Sequence, residues 1–153
     1  MFFSLEGKIA LITGGSRGIG RATALGFARA GADIAIASRK LPDLEKVAAE
    51  IRKLGRRALP VAAHMGRIED INNLVTRVKE EFGRIDILVN NAGANPTMDT
   101  VLEIQERTWD IIMDVNLKGL FFLSQAVAKV MKEQGGGCII NVASAAGIRP
   151  HII

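Results

Sequence analysis

The residues with the clearest chemical potential form a glycine-rich segment that reads T-G-G-S-R-G-I-G. It follows an apolar run and precedes a stretch with helical spacing, so a strand, a tight loop and a helix are expected in succession. Glycines there let the backbone approach a pyrophosphate, whose charge binds the free N–H groups at the helix start. The glycines that would form this phosphate-binding turn are Gly14, Gly15, Gly18 and Gly20.

The spacing of the glycines narrows the kind of nucleotide site. Gly14, Gly18 and Gly20 follow the pattern G-x-x-x-G-x-G, and no Gly-Lys-Ser/Thr follows, which excludes a P-loop. A glycine cluster by itself would also suit a structural turn. The strand-loop-helix context favours a dinucleotide.

The residues about 20 positions beyond the loop select the form of the dinucleotide. An NAD-binding unit carries an acidic residue there to bind the ribose hydroxyls. This sequence has Ser38 and Arg39 instead. An arginine attracts a 2′-phosphate, with Arg17 as a second cation and Ser38 as a hydrogen-bond donor. We therefore expect NADP(H) rather than NAD(H); a solvated Arg39 ahead of the next helix is the structural alternative.

The glycine-rich loop belongs to a pattern that repeats along the chain. Each repeat consists of an apolar run, a turn, an amphipathic segment and a glycine. The near-continuous apolar runs are typical of strands covered on both faces, and hence of a parallel sheet. Their alternation with helices predicts an α/β fold with a doubly wound, Rossmann-type sheet. The predicted strands lie at residues 8–13, 33–38, 58–63, 85–90 and 137–143.

The apolar spacing also predicts the helices that follow the first one. Residues 44–54 and 68–82 each show a single apolar stripe. Residues 115–131 are apolar around much of the helix and need cover on more than one side. The glycines expected to follow helix ends in a left-handed conformation are Gly31, Gly55, Gly83 and Gly135.

Composition excludes several classes of function. The 153 residues suffice for one domain, so residues 1–153 are predicted to form a single nucleotide-binding domain. The net charge of +4 does not indicate a nucleic-acid partner, because most basic residues alternate with acids and the cluster at 52–57 falls at a predicted helix end. No metal site is expected, since the soft ligands His64, Cys138 and His151 are widely separated.

The single cysteine and the N-terminus bear on location. Cys138 cannot form an internal disulfide, and its apolar neighbours predict a buried strand position. No basic stretch followed by a long apolar run opens the chain, and no membrane span is expected. These observations predict a cytoplasmic protein.

Three further motifs complete a pattern known from one family. N-N-A-G ends the fourth predicted strand, D-V-N-L contains Asn116, and N-V-A-S ends at Ser144 after the fifth. In this order they resemble the short-chain dehydrogenase/reductase family over residues 5–150, and they look most like its NADP-dependent carbonyl reductases. The resemblance implies that the glycine-rich loop lines the cofactor phosphates, with contacts assigned to Thr13, Gly14, Ser16, Arg17, Gly18, Ile19 and Gly20. It also implies that Asn90, Asn91, Ala92 and Gly93 border the adenosine ribose and support the sheet, although an asparagine pair also suits a turn.

The resemblance also implies catalytic roles. Ser144 would orient the carbonyl of a small substrate, and Asn116 would hold a water that links a proton relay to solvent. From the residues alone, Ser144 could instead cap the fifth strand, and Asn116 could satisfy backbone groups at a helix kink.

Two departures from the family pattern stand out. Where much of the family has an aspartate facing adenine, this sequence has His64, followed by Met65. A neutral imidazole nitrogen can accept the same hydrogen bond, so both residues are assigned to the cofactor; a polar residue closing a strand is the alternative. The family's Tyr-x-x-x-Lys is absent, since the chain has no tyrosine, and His151 is a poor substitute. We therefore expect a partial record of a longer reductase, incomplete at the C-terminal side, which would aggregate or stay molten at this length.

The sequence thus predicts an NADP(H)-dependent enzyme that interconverts small carbonyls and secondary alcohols. A homo-dimer or homo-tetramer is expected at full length, because the family's dimer interface would cover the helix at 115–131. Two alternatives remain: a 3-oxoacyl-carrier-protein reductase, whose early motifs are nearly the same, and a non-catalytic nucleotide-binding fragment.

Overall fold

Five parallel strands form the central sheet in a computed structural model that describes residues 4–97, 100 and 102–148. The strands are β1 (Ile9–Thr13), β2 (Asp33–Ser38), β3 (Ala58–Ala62), β4 (Ile87–Asn90) and β5 (Cys138–Asn141). Their order across the sheet is β3-β2-β1-β4-β5. This arrangement confirms the predicted α/β fold with a doubly wound parallel sheet.

Helices cover both faces of the sheet. They are α1 (Gly18–Arg29), α2 (Leu41–Lys53), α3 (Ile68–Phe82), α4 (Glu106–Met113) and α5 (Leu120–Glu133), with a π-helical turn at Asp114–Gly119 and a 3₁₀ turn at Ala145–Gly147. Side chains of α1 and α2 pack in one core cluster, and those of α3 and α5 pack in the other.

Side chains alternate between the two faces of each strand, so a strand contributes residues to both core clusters. Leu11 joins the cluster on the α3 and α5 side, and its neighbour Ile12 joins the cluster on the α1 and α2 side. Successive strand residues point to opposite faces, so a strand that is covered twice must be apolar at every position. The continuous apolar runs therefore follow from the layered architecture.

The glycines predicted to follow the helices adopt the left-handed conformation. Their φ angles are +106° for Gly31, +77° for Gly55, +78° for Gly83 and +92° for Gly135. Side chains other than glycine rarely adopt this region, so these positions stop each helix at a fixed residue.

The dense basic cluster beyond α2 is held in ion pairs. Arg56 lies 2.9 Å from Glu6 and 3.0 Å from Asp33, and Arg57 lies 2.6 Å from Glu81. The hydrogen bond to Glu6 is the main reason that the pKa of Arg56 is raised above its usual value. The cluster therefore fastens the N-terminal segment and α3 around the end of α2.

The fifth strand departs from the sequence-based expectation. β5 is shorter than the predicted 137–143, and all four of its residues are exposed. The prediction that Cys138 is buried is wrong, because its thiol belongs to this exposed strand. β5 pairs with β4 at the outer position of the sheet. An apolar run predicts a strand, but it does not reveal whether a neighbour covers that strand.

The helix predicted over 115–131 belongs to a longer continuous helix. Residues Glu106–Glu133 form 28 helical residues, and by length and composition this is the one segment of the described chain able to cross a membrane. Its residues Leu123 and Val127 instead pack on the sheet core. On other sides Leu117 and Phe121 are each 57% exposed, which agrees with the expectation that this helix needs more than one neighbour.

Gly119 brings this helix against the loop after β3. Its φ of −63° is open to any residue, but a Cβ atom there would lie on the carbonyl oxygen of Met65. The backbone at the start of α5 therefore contacts the backbone of the loop directly. Only glycine fits this contact without movement.

We predict that Gly119→Ala lowers the free energy of unfolding by about 1–3 kcal/mol, because the added methyl group overlaps a backbone atom that cannot rotate away. Gly26→Ala is the matched control. Gly26 also lies in a helix, and a Cβ there meets nothing within 4 Å, so this change should raise stability by roughly 0.5–1 kcal/mol. Urea denaturation of both variants, made in the protein at its full encoded length, checks the pair. Equal effects of the two substitutions would contradict the close contact.

Candidate dinucleotide site at the carboxyl edge of the sheet

The predicted site residues converge at one edge of the sheet. From β1 the chain winds outward to β3, and it then crosses back to β4 and β5 on the other side of β1. In open α/β sheets ligands bind beyond the carboxyl ends of the strands at such a reversal. The predicted residues lie at or beyond these ends: residues 13–20 at β1, 38–39 at β2, 64–65 at β3, 90–93 at β4 and 144 at β5.

The glycine loop leaves open space and unpaired donors at the start of α1. Gly18 has φ +53°, and a Cβ there would meet nothing within 4 Å. Arg17 precedes the helix in an extended conformation, and no side chain caps the helix. The first N–H groups of a helix have no intrahelical partner and attract anions. The loop therefore offers free backbone donors and open space, the features that the predicted contact with a diphosphate requires.

The side chain of Asn91 packs against the backbone of the same loop. Its Nδ2 atom donates a hydrogen bond of 3.0 Å to the carbonyl oxygen of Thr13. A Cβ at Gly14 would lie 2.7 Å from that nitrogen, and a Cβ at Gly20 would also overlap it. At Gly20 the backbone carbonyl oxygen of Gly14 is closer still, so Gly20 is required by the backbone of the loop as well as by the Asn91 amide.

Thr13 joins the ends of the two central strands. Its hydroxyl accepts the N–H groups of Asn91 and Ala92, both at 3.0 Å, and donates to the carbonyl oxygen of Val89 at 3.4 Å. The residue is only 2% exposed. Thr13 therefore contributes to the site by positioning two loops rather than through an accessible side chain.

Asn90 connects β4 to its neighbours in the interior. Its Nδ2 atom donates to the Ser124 hydroxyl and to Asn141 Oδ1, both at 2.9 Å. The side chain supports the sheet, as the resemblance implied, and it is buried rather than directed at a ligand. Sequence reasoning missed Ser124, which lies in an apolar helix without any motif. Asn141 belongs to N-V-A-S, and its cross-strand register with Asn90 was the available signal.

His64 has one ring nitrogen committed within its own loop. Nδ1 accepts the N–H of Gly66 at 3.0 Å, and the backbone N–H of His64 donates to Asp70 at 2.7 Å. The neutral ring then carries its proton on Nε2, so it offers a ligand a donor and not the predicted acceptor. These contacts match the alternative of a polar residue that closes the strand. Met65, also assigned to the cofactor, is 7% exposed and belongs to the core.

Asn116 clamps the loop after β4 onto the π-helical turn. Its Oδ1 accepts the N–H of Ala94 at 2.7 Å, and its Nδ2 donates to the Ala94 carbonyl oxygen at 2.9 Å. This geometry matches the alternative role at a helix irregularity. The Asn116 amide thus keeps one Nδ2 hydrogen and one Oδ1 lone pair free. The water that the resemblance implies could bind only to these.

Ser144 caps the short turn beyond β5. Its Oγ accepts the N–H of Ala146 at 3.2 Å, and the residue is exposed. The capping alternative is therefore observed, while the hydroxyl proton stays available as a donor. His151 lies outside the described residues. Within those that are described, no group of three or more His, Cys, Asp and Glu side chains could hold a metal ion.

The residues expected to read the adenosine ribose lie at the end of β2. The Oγ atom of Ser38 is buried and has no hydrogen-bond partner in the described part of the chain. Arg39 and Arg17 are exposed, and neither forms an ion pair with a described residue. Both cations are thus open to an anion, and Arg39 directly follows the residue with the unsatisfied hydroxyl.

This combination of sheet, glycine loop and polar strand ends has close counterparts. The chain belongs to the short chain dehydrogenase family, whose model matches residues 8–153. It is 46% identical over 143 residues to the 2-dehydro-3-deoxy-D-gluconate 5-dehydrogenase of Escherichia coli, covering 93% of this chain and 55% of that protein. It is 40% identical over 145 residues to a 3-oxoacyl-[acyl-carrier-protein] reductase of Thermotoga maritima, covering 94% and 58%.

A solved structure extends the likeness to three dimensions. The crystal structure of L-sorbose reductase from Gluconobacter frateurii, complexed with NADPH and L-sorbose, matches with a TM-score of 0.94 and 36% identity. The match covers 99% of this chain and 57% of that one. The chain therefore spans between half and two thirds of the length of these relatives.

We predict that Thr13→Val destabilises the protein by about 1–3 kcal/mol, because it leaves the N–H groups of Asn91 and Ala92 without their acceptor in a buried position. Thr13→Ser keeps the hydroxyl and is the control. Hydrogen exchange should show faster exchange of the two amides in the valine variant only. Slow exchange in both variants would show that Thr13 does not hold the loop.

Proposed function

We propose that the protein carrying this chain is an NADP(H)-dependent oxidoreductase that moves a hydride between the cofactor and a carbonyl or secondary alcohol. The observation that carries this proposal is the convergence of an open, uncapped glycine loop and the Ser144 hydroxyl at one edge of the sheet. When bound, the nicotinamide ring supplies or accepts the hydride. Residues 1–153 would then act as one cofactor-binding domain.

The binding roles follow from the groups left available. The N–H groups at the start of α1 would bind the diphosphate, as the space at Gly18 allows. Arg17 and Arg39 would bind the 2′-phosphate, and the Ser38 hydroxyl, which is buried without a partner, would donate a hydrogen bond once it turns toward the ligand. The absence of an acidic residue at this position supports NADP(H), and a relative of this fold was crystallised with NADPH.

Ser144 would orient the substrate. Its acceptor lone pair serves the 3₁₀ turn, which fixes the oxygen in place. Its proton can point at a carbonyl oxygen, where negative charge develops as the carbon receives the hydride. The carbonyl oxygen must also gain a proton, and no tyrosine occurs in these 153 residues. The chain thus supplies orientation and binding, while Asn116 would fix the neighbouring loop through Ala94.

The preferred substrate class is a hydroxylated sugar acid. The supporting observation is the 46% identity to a dehydrogenase named for oxidation at carbon 5 of such an acid. A 3-oxoacyl thioester on a carrier protein is the second candidate, supported by 40% identity to a reductase of that name.

We further propose a cytoplasmic homo-dimer or homo-tetramer. The exposed apolar side chains Trp109, Leu117 and Phe121 on one long helix suit a subunit contact. The unpaired Cys138 on the outer strand suits a reducing compartment.

The function is tested on the protein at its full encoded length. NADP⁺ reduction is measured with 2-dehydro-3-deoxy-D-gluconate, and NADPH oxidation is measured with a 3-oxoacyl carrier thioester and with L-sorbose. We expect turnover with one of them, and a loss of roughly 100-fold in kcat for Ser144→Ala, since a donor to the developing oxyanion is removed. Cofactor binding without turnover of any carbonyl or alcohol would favour the non-catalytic alternative.

The cofactor preference gives a separate prediction. Arg39→Asp replaces a cation with an acid that can bind ribose hydroxyls, so NADP(H) should bind at least about tenfold more weakly and NAD(H) more tightly. Dissociation constants from fluorescence titration measure both changes. Arg39→Lys is the control and should retain most of the preference. An unchanged preference in Arg39→Asp would show that Arg39 does not read the phosphate.

A further inference from the structure

A cleft of about 350 Å³ lies between the glycine loop and helix α2. Ser16 and Arg17 line it from the loop, and Asp43 and Lys46 line it from the first half of α2. Of the residues that line this cleft, sequence reasoning assigned only Ser16 and Arg17 to the cofactor. The structure places a second helix opposite them.

The charges in the cleft are unequally paired. Arg21 and Glu50 form an ion pair with 2.5 Å between their charged atoms. Lys46 Nζ lies 3.4 Å from Asp43 Oδ1, with side chains that are 76% and 48% exposed. Arg17 has no ion pair with any described residue. Two cations in the cleft are therefore available to a ligand: Arg17, which has no ion-pair partner among the described residues, and Lys46, which is paired only weakly.

The pair of Lys46 and Asp43 is easily exchanged. An exposed ion pair at this spacing contributes little to stability, since water screens it and both side chains lose freedom. A phosphate monoester carries more negative charge than a carboxylate and has three acceptor oxygens. The ammonium of Lys46 is a mobile point charge on a long stem, which suits a phosphate that approaches from the loop side.

We propose that Lys46 is a specificity-determining residue, which binds the 2′-phosphate of the dinucleotide from α2 while Arg17 binds it from the glycine loop. The inference deepens the proposed function and rests on its cofactor site. Asp43 opposes this binding in two ways: it holds Lys46 in the absence of the phosphate, and it repels the phosphate when it binds. The opposite charges of Lys46 and Asp43 thus adjust the preference for the phosphorylated cofactor that Arg17 and Arg39 establish.

The test uses the full-length protein and two probes, 2′,5′-ADP and 5′-AMP, which differ only in the 2′-phosphate. Isothermal titration calorimetry gives both dissociation constants. Lys46→Met should weaken 2′,5′-ADP about fivefold and leave 5′-AMP unchanged, because it removes one charged contact and keeps the length of the side chain. Asp43→Asn should tighten 2′,5′-ADP about twofold, with 5′-AMP again unchanged.

Lys53→Met is the matched control. Lys53 is an exposed lysine at the other end of α2 and does not line the cleft, so its loss changes the net charge alone. Equal weakening by Lys46→Met and Lys53→Met would overturn the inference, as would equal weakening of both probes or no change with Lys46→Met. If the unaltered protein prefers 2′,5′-ADP in those cases, the proposed cofactor site survives. If it binds neither probe, both proposals fail together.

Discussion

The link between the ends of β1 and β4 is the constraint on which the site depends. β1 and β4 are adjacent in the sheet although more than 70 residues separate Thr13 from Asn91. The hydroxyl of Thr13 and the amide of Asn91 hydrogen-bond each other's backbone, which closes the reversal point of the sheet. Because backbone N–H groups buried without an acceptor are costly, this arrangement fixes the two loops relative to each other.

Close contacts with the backbone fix the segments around this link as well. Gly14 and Gly20 leave room for the Asn91 amide, and Gly119 lets the start of α5 lie against the carbonyl oxygen of Met65. The clamp between Asn116 and Ala94 then fixes the loop after β4. Glycine is required at these contacts for space, whereas at Gly18 it leaves an open surface beside the start of α1. Glycine thus serves two purposes at the site: it permits close packing around it, and it leaves space open at Gly18.

Charge is distributed in two distinct ways across the molecule. At the amino end of the sheet, Arg56 and Arg57 are paired with carboxylates and hold segments together. At the carboxyl end, Arg17 and Arg39 are exposed without such partners among the described residues. Unpaired cations beside an uncapped helix start produce a positive potential where an anionic ligand would approach. Arg17 and Arg39 therefore remain available to an anionic ligand, whereas Arg56 and Arg57 do not.

The sequence determined the sheet, the helix-ending glycines and the glycine-rich turn after β1, because apolar period and backbone freedom are local properties. The sequence did not determine which polar side-chain atoms form hydrogen bonds within the protein. Nδ1 of His64, both ends of Asn116 and the acceptor of Ser144 bond to backbone groups whose positions depend on packing. The exposure of Cys138 likewise depends on which neighbours flank β5. Only the tertiary structure decided these points, since hydrogen-bond partners and burial are set by contacts between segments distant in the chain.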